Sequence, residues 1–256
     1  MATRRRPGET PAPREANGPS PARTAGGSGS DESLRPFVRD RPNARDRIEQ
    51  VLRQALITGR IQPGHSMTLR GLAEELGTSP MPVREAIRGL AAEHALDISG
   101  SGRIAVPRMS ERKFAELLRA RSLLEPEVAA LAAAELGPAD VRRLEALDDA
   151  VDDSLVSGDV EGYMRLNHAF HFAIYEASRS DVFLPLIESV WLQVGPFMRS
   201  IYGRVGTARL VDHHKVAIAA VAAGDAEALR RAIADDIAEG MRLIADGLAQ
   251  GAPQAV

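Results

Sequence analysis

Residues 56–96 carry the clearest structural signal in the chain, LITGRIQPGHSMTLRGLAEELGTSPMPVREAIRGLAAEHAL. Gly59 and the pair Pro63–Gly64 favour turns, and Gly77 favours the end of a helix. Between these breaks, apolar residues recur at spacings of three and four, the period of a helix that buries one face. The stretch therefore predicts a short helix, a tight turn and a second helix.

The flanking sequence completes a small domain over residues 43–108. An apolar stripe over residues 48–56 predicts a preceding helix, and two short strands are predicted around residues 99–102. Thr68 and Ser79 are the expected N-caps of the second and third helices. The order helix, helix, turn, helix, hairpin is that of a winged helix-turn-helix with three helices and a β-hairpin wing.

The remaining sequence predicts one further domain and two unstructured ends. Residues 109–248 repeat the helical period between breaks such as Gly195–Pro196, which predicts an all-α helical bundle of about six or seven helices. Residues 1–42 are rich in Pro, Gly, Ser and Arg and predict a disordered tail, and residues 249–256 predict a flexible C-terminus. The predicted fold class is mainly α.

Composition excludes several classes of protein. The 256 residues contain no cysteine, which excludes disulfide scaffolds and thiolate sites. No apolar run approaches the roughly 20 residues of a membrane span, and no apolar segment follows Arg4–Arg6 to form a secretory signal. We therefore expect a cytoplasmic protein. The net charge is −3, but basic residues exceed acidic ones up to residue 108, which favours a nucleic-acid-binding N-terminal half.

Exposed positions of the predicted winged helix supply candidate DNA contacts. The second helix of such a motif enters the major groove by its first turn. Arg84 follows an inward valine and must point outward, where a guanidinium can pair with guanine or phosphate; a solvated arginine is the alternative. The wing tip would approach the sugar-phosphate backbone. The candidate contacts are Arg70, Ser79, Met81, Arg84, Arg88, Gly102 and Arg103.

Four polar residues of the second domain lie on the apolar stripes of their helices, where they need partners or ligands. Asn167 and His171 are one turn apart on one stripe, and His214 and Asp236 lie on two others. Amide, imidazole and carboxylate groups gathered in a bundle core favour a divalent metal such as Zn²⁺, Ni²⁺ or Mn²⁺. A metal-free core of hydrogen-bonded polar groups is the alternative.

Two arginines are candidates for binding an effector. Arg121 falls within the apolar stripe that runs from Phe114 to Leu131. A guanidinium there needs an anion, either the internal carboxylate of Glu125 or an incoming organic acid. Arg199 is the second candidate, with a solvated helix face as its alternative.

The N-terminal stretch resembles the DNA-binding domain of GntR-family transcription regulators. The resemblance rests on the spacing of PG, LAEELG, S-x-x-PVREA and R-x-L within residues 56–96. It implies that Arg70, Arg84 and Gly102 contact the operator. Pro80 stands where many members have a base-reading arginine, and His94 stands where a glycine is usual.

The C-terminal domain resembles the all-helical FCD effector-binding domain of the FadR subfamily. The matching segments are RSLLEPEVAALAA, NHAFHFAIYEAS, WLQVGPFMR and HKVAIAAVAAGD. The resemblance implies a small carboxylate effector and a metal site at Asn167, His171, His214 and Asp236. Asparagine replaces the usual aspartate at the first position, and aspartate replaces the usual histidine at the last.

These observations predict a transcription regulator, most often a repressor in this family, and not an enzyme. It would bind a double-stranded DNA operator as a homodimer, because one helix-turn-helix contacts only a half-site. One alternative is a metal-dependent enzyme with an active site at His171, His214 and Asp236. Another is a structural or interaction protein, but this alternative does not explain the predicted winged helix-turn-helix.

Overall fold

The computed structural model describes the backbone of residues 43–205 and 213–249 and the side chains of residues 43–199 and 213–246. The predictions for residues 1–42 and 250–256 lie outside these ranges. The elements run in the order α1 (Ala44–Ile57), β1 (Ser66–Thr68), α2 (Leu69–Glu75), α3 (Pro80–Ala92), β2 (Asp97–Ile98), β3 (Arg103–Ala105), α4 (Glu111–Ala132), α5 (Pro138–Ser157), α6 (Val160–Tyr175), α7 (Phe183–Val205), α8 (His213–Ala223) and α9 (Ala226–Ala249).

Local capping explains where the first three helices begin. The Asn43 side chain and Asp46 form a reciprocal capping box at α1. Thr68 accepts a hydrogen bond from the Gly71 amide at the start of α2. Ser79 is the N-cap residue of α3 but makes no side-chain cap, and proline fills the first turn instead. The inward faces of the three helices pack into one apolar core.

The wing is a three-stranded antiparallel sheet in the order β1-β3-β2. The predicted hairpin of β2 and β3 is present, and β1 adds a strand that sequence analysis assigned to a turn. Met67 of β1 lies opposite Ile104 of β3, which ties the segment before α2 to the wing. His94 follows α3 with a φ of 58°, the left-handed conformation that glycine favours and that L side chains adopt rarely.

Helices α4 to α9 form the second domain, with a 3₁₀ turn at Glu176–Ser178. α4 packs against α7 and α9, and α5 packs against α6 and α8. The predicted break at Gly195–Pro196 is wrong, because α7 continues through both residues. Both are buried, so tertiary packing outweighs the cost of an internal proline, about 3 kcal/mol. Among the described residues, no helix is long and apolar enough to span a bilayer.

α7 also holds the winged helix through close backbone packing. A Cβ atom on Gly195 would lie 2.8 Å from the carbonyl oxygens of Leu56 and Ile57 in α1. One turn further on, Arg199 donates to the Thr58 carbonyl at 3.1 Å and pairs with Glu161 of α6 at 3.1 Å. The approach of the two backbones requires a glycine at position 195.

The end of α3 is tied to the same helix. The Ser189 hydroxyl of α7 donates to the carbonyl of Glu93, the residue that caps α3, at 3.2 Å. Arg53 of α1 pairs with the Glu93 carboxylate and lies 3.8 Å from that of Glu188 in α7. Polar contacts thus connect α7 to the far end of the helix that carries the predicted DNA contacts.

Candidate functional site

The predicted DNA contacts of α3 lie on one outward face. The exposed residues are Ser79, Met81, Arg84 and Arg88, while the opposite face of α3 is buried in the core. Met81 is 59% exposed and presents an apolar side chain beside the two arginines. These four side chains therefore form one surface at the start of the helix.

The other predicted contacts lie on α2 and the wing. Arg70 is exposed and pairs with Glu74 one turn later, at 3.0 Å. Gly102, with a φ of 78°, forms the tight turn of the wing, and Arg103 is exposed beside it. Arg103 begins β3, so its backbone is fixed by the sheet while its side chain stays available.

The second domain brings together three of the four predicted metal ligands. His171 of α6, His214 of α8 and Asp236 of α9 each place one ligand atom within 4.8 Å of the others. The His171 Nε2 atom lies 3.1 Å from an Asp236 oxygen, and the two imidazole rings meet edge to face at 5.4 Å. Asn167, the fourth candidate, is buried one turn before His171 on α6.

A hydrogen bond determines which nitrogen of the His171 ring carries a proton. Its Nδ1 atom lies 3.1 Å from the Tyr175 hydroxyl, which itself donates to Glu125 at 2.9 Å. Because the hydroxyl proton is used, Nδ1 must be the donor in that contact, so Nε2 is the nitrogen that offers a lone pair when the ring carries a single proton. Nε2 is buried and makes no well-directed hydrogen bond with any described residue, despite its short distance to Asp236.

When the His171 ring carries a single proton, Nε2 and the Asp236 carboxylate are two acceptors 3.1 Å apart, and either a second proton on Nε2 or a metal ion satisfies both. Burial opposes ionisation of Asp236, but its contact with His171 and the nearby charges of His214 and Arg121 lower its pKa to about 2. The carboxylate is therefore ionised under ordinary conditions. A buried bare nitrogen beside a carboxylate, with a second imidazole in reach, is a donor set that suits Zn²⁺, Ni²⁺ or Mn²⁺.

Arg121 has an internal partner. Its Nε and Nη2 atoms donate to the two Glu125 oxygens at 2.6 and 3.1 Å, and its guanidinium lies 4.5 Å from the centroid of the Trp191 ring. Burial alone would lower the pKa of Arg121, but the charge and hydrogen bonds of Glu125 raise it. Of the two anions considered for Arg121, the structure contains the internal one, and effector binding by Arg121 stays a prediction.

Glu125 is the centre of this buried network. It is fully buried and also accepts hydrogen bonds from Tyr175 and, at 3.1 Å, from the Trp191 indole. Four donors satisfy both oxygens, so the charge is compensated without solvent. The network reaches the metal candidates through Tyr175, whose hydroxyl lies between Glu125 and His171.

Sequence analysis missed Asp148, Tyr175 and Trp191. Asp148 of α5 is 4% exposed and lies 3.0 Å from Nδ1 of His214. It is on a buried stripe of its helix, the same signal that identified the metal candidates. Arg199, by contrast, contacts the backbone of the winged helix, and its role in effector binding stays a prediction.

Comparison with known proteins identifies the family. Residues 44–106 match the bacterial regulatory proteins of the gntR family, and residues 116–239 match the FCD domain. The chain is 32% identical over 186 residues to the HTH-type transcriptional regulator McbR of Escherichia coli, covering 72% of this chain and 84% of McbR. The chain belongs to the GntR family. Its architecture is of the FadR type, a winged helix followed by an FCD domain.

Further relatives agree on the class of protein. The gluconate operon transcriptional repressor of Bacillus subtilis is 26% identical over 190 residues, covering 70% of this chain and 76% of the repressor. The solved structure of E. coli McbR/YncC superposes with a TM-score of 0.76 at 29% identity, covering 80% of this chain and 99% of that one. The chain is a DNA-binding transcription regulator and not an enzyme, which removes the alternative of a metal-dependent active site.

Proposed function

We propose that this GntR-family regulator represses transcription from the cytoplasm by binding an operator as a homodimer. We further propose that its FCD domain holds a divalent metal and releases or strengthens DNA binding when a small carboxylate arrives. One observation carries the metal proposal: the buried Nε2 of His171, which has no well-directed hydrogen bond, lies 3.1 Å from the Asp236 carboxylate, with a ligand atom of His214 within 4.8 Å.

The DNA-binding half of the proposal rests on exposed cations over a rigid core. Arg84 and Arg88 stand outward on α3, whose buried face is fixed by packing against α1. A homodimer supplies two such helices for two half-sites. Leu123 and Leu131 of α4 are 62% and 52% exposed, and a second copy of the chain would bury this apolar surface.

The metal would be held by His171, His214 and Asp236, with the Asn167 amide as a fourth donor. When bound, it would supply a positive centre with an open position at which an effector carboxylate binds. The protein's own residues hold the ligands in place: Tyr175 orients His171, and Arg121 adds positive charge that acts on Asp236. The chemical class of effector follows from this positive, buried setting.

The response would reach DNA through α7. Trp191 contacts Glu125, Arg121 and His171, and Gly195 one turn later packs on the backbone of α1. A shift of α7 would therefore move α1 together with α3, which packs on it. One continuous helix would thus connect the candidate metal centre to the winged helix.

Metal binding can be tested with matched histidine variants. The purified chain is analysed for bound metals, stripped with a chelator, and melted with added Zn²⁺, Ni²⁺ or Mn²⁺. Saturation to 100 times the dissociation constant stabilises the folded state by about 2.7 kcal/mol. His171→Ala should abolish the rise in Tm, whereas His213→Ala, which removes a ring paired with Glu239 outside the cluster, should retain it. No rise in the unaltered protein with any of the three metals contradicts the proposal.

Regulation is tested separately by gel shift, using the DNA fragment that lies upstream of the gene encoding this protein. Small organic acids are screened by thermal shift, and those that bind are added to the protein–DNA complex. Arg121→Ala should remove the response to the acid, and Arg121→Lys should restore it poorly because an ammonium lacks the planar fork of a guanidinium. An unchanged response in the alanine variant contradicts the assignment of Arg121.

A further inference from the structure

We infer that Asp148 is a positioning residue that determines which nitrogen of His214 is available to a metal. The inference rests on the proposed metal site and adds a residue that lies outside its ligand set. Asp148 comes from α5, an element that contributes no ligand, and its Oδ1 atom lies 3.0 Å from Nδ1 of His214. Both side chains are buried, at 4% and 8% exposure.

The hydrogen bond has only one possible direction. An ionised carboxylate accepts hydrogen bonds and donates none, so Nδ1 of His214 must carry the proton. In the neutral ring, Nε2 then has the lone pair that a metal requires. Carboxylates that accept from the far nitrogen of a ligating histidine fix its tautomer and its orientation in known metal sites.

Packing removes the remaining freedom of the ring. Phe170 stacks on His214 with ring centroids 3.8 Å apart and an interplanar angle of 14°, which sets the plane of the imidazole. Rotation within that plane is set by the bond to Asp148. At the solvent side, Lys215 lies 3.9 Å from the second Asp148 oxygen and 3.2 Å from Asp152, which places a positive charge beside the buried carboxylate.

The same arrangement occurs at the other histidine. Nδ1 of His171 is bound to the Tyr175 hydroxyl, which Glu125 orients, and Nδ1 of His214 is bound to Asp148. In both neighbouring rings, therefore, the Nδ1 atom is hydrogen-bonded to a residue outside the candidate ligand set, Tyr175 for His171 and Asp148 for His214. A core that merely satisfied its polar groups would pair Nε2 of His171 as well, yet this atom, 3.1 Å from Asp236, makes no well-directed hydrogen bond with any described residue.

Asp148→Asn tests the inference with little change in shape. The neutral amide oxygen accepts the Nδ1 proton more weakly than a carboxylate does, and the amide NH₂ can donate to Nδ1 instead. Both effects favour the tautomer with the proton on Nε2, which cannot coordinate a metal. Asp152→Asn is the matched control, one turn further along α5, where the exposed carboxylate contacts Lys215 but not His214. Affinity for Zn²⁺, Ni²⁺ and Mn²⁺ is measured by competition with a chromophoric chelator, using the full chain.

We expect Asp148→Asn to weaken metal binding by about 10- to 100-fold. Asp152→Asn should leave the affinity unchanged. Imidazole ¹⁵N chemical shifts of the metal-free protein provide a second measurement, in which His214 should change tautomer in Asp148→Asn and keep it in Asp152→Asn. Asp148→Glu, which retains an acceptor, should recover more affinity than the asparagine variant and so separates positioning from a general loss of stability.

The outcomes separate the two proposals. If the unaltered chain binds none of the metals, the proposal of a metal site is contradicted. The ¹⁵N chemical shifts of His214 then still test whether Asp148 sets its tautomer. If the chain binds metal and Asp148→Asn binds it equally well with an unchanged tautomer, the inference about Asp148 is overturned and the metal site stands.

Discussion

Replacing Gly195 with alanine tests how α7 and α1 are joined. The new Cβ atom would lie 2.8 Å from the carbonyl oxygens of Leu56 and Ile57 and 2.9 Å from the Ile57 Cα. All three are backbone atoms within a buried helix end, so none can rotate away. The helices must separate by several tenths of an ångström to restore ordinary contact, and the tight packing around them resists this.

The expected cost follows from two opposing contributions. Glycine to alanine inside a helix stabilises by about 1 kcal/mol through propensity. Overpacking a well-packed interface destabilises by about 1–3 kcal/mol. Gly89→Ala in α3 isolates the first contribution, because a Cβ there has the flexible Glu49 carboxylate as its nearest neighbour, at 3.5 Å. The difference between the two variants is therefore the packing cost against α1 together with the clash between a Cβ at position 195 and the ring of Pro196.

Thermal unfolding followed by circular dichroism measures that difference. For a chain of this size, each kcal/mol corresponds to about 2–4 °C in Tm. Gly89→Ala should melt above the unaltered protein, and Gly195→Ala should melt at least about 2–4 °C below Gly89→Ala. Equal gains in Tm for both variants would show that α7 does not press on α1, and the proposed route from the FCD domain to DNA would lose its support.

Three further predictions concern charged residues. Arg84→Ala should weaken operator binding by about 1–3 kcal/mol without lowering Tm, because the side chain is exposed; an unchanged gel shift contradicts it. Arg199→Ala should lower Tm while metal affinity stays the same. An unaltered melting curve would show that the contact between Arg199 and the Thr58 carbonyl does not stabilise the fold. Glu125→Gln leaves the Arg121 guanidinium buried without a carboxylate and should cost about 3–5 kcal/mol in urea unfolding. The double variant Arg121→Met/Glu125→Gln, whose amide oxygen still accepts from Tyr175 and Trp191, should cost less; the reverse order would refute the pairing.

The three helices of the winged domain could be predicted from sequence because their signals are local. Each has an apolar stripe at helical spacing and a recognisable N-terminal residue, and the first two have side-chain caps. The strand β1 could not be predicted in the same way. Its three residues alternate exposed, half-buried and exposed, and its partner β3 lies about forty residues further along the chain.

Tertiary context overrode two local signals in the second domain. Gly195–Pro196 predicts a break, but α7 continues through both residues, which its neighbours bury. Leu131 continues the helical stripe of α4 yet is 52% exposed, because the face that neighbouring helices cover is the one that carries the fully buried Val128 and Ala132, and Leu131 lies outside it. Sequence periodicity shows which residues share a helix face, but not how much of that face neighbouring helices bury.

The metal candidates could be predicted because a polar residue on an apolar stripe is conspicuous. Asp148 gives the same signal on α5 and could have been found by it. Tyr175 and Trp191 could not, because aromatic residues on a buried face are the ordinary content of a core. Their hydrogen bonds to Glu125 depend on how α4, α6 and α7 meet, which no single helix encodes.

Trp191 is the single tryptophan of the chain. It is almost fully buried, donates its indole hydrogen to Glu125 and lies under the Arg121 guanidinium, with the His171 ring 5.5 Å away. Trp191 is therefore the one indole fluorophore, placed between the buried Arg121–Glu125 ion pair and the metal candidates. Its emission is sensitive to the charge and geometry of both, so unlabelled protein reports on this centre without interference from any second indole.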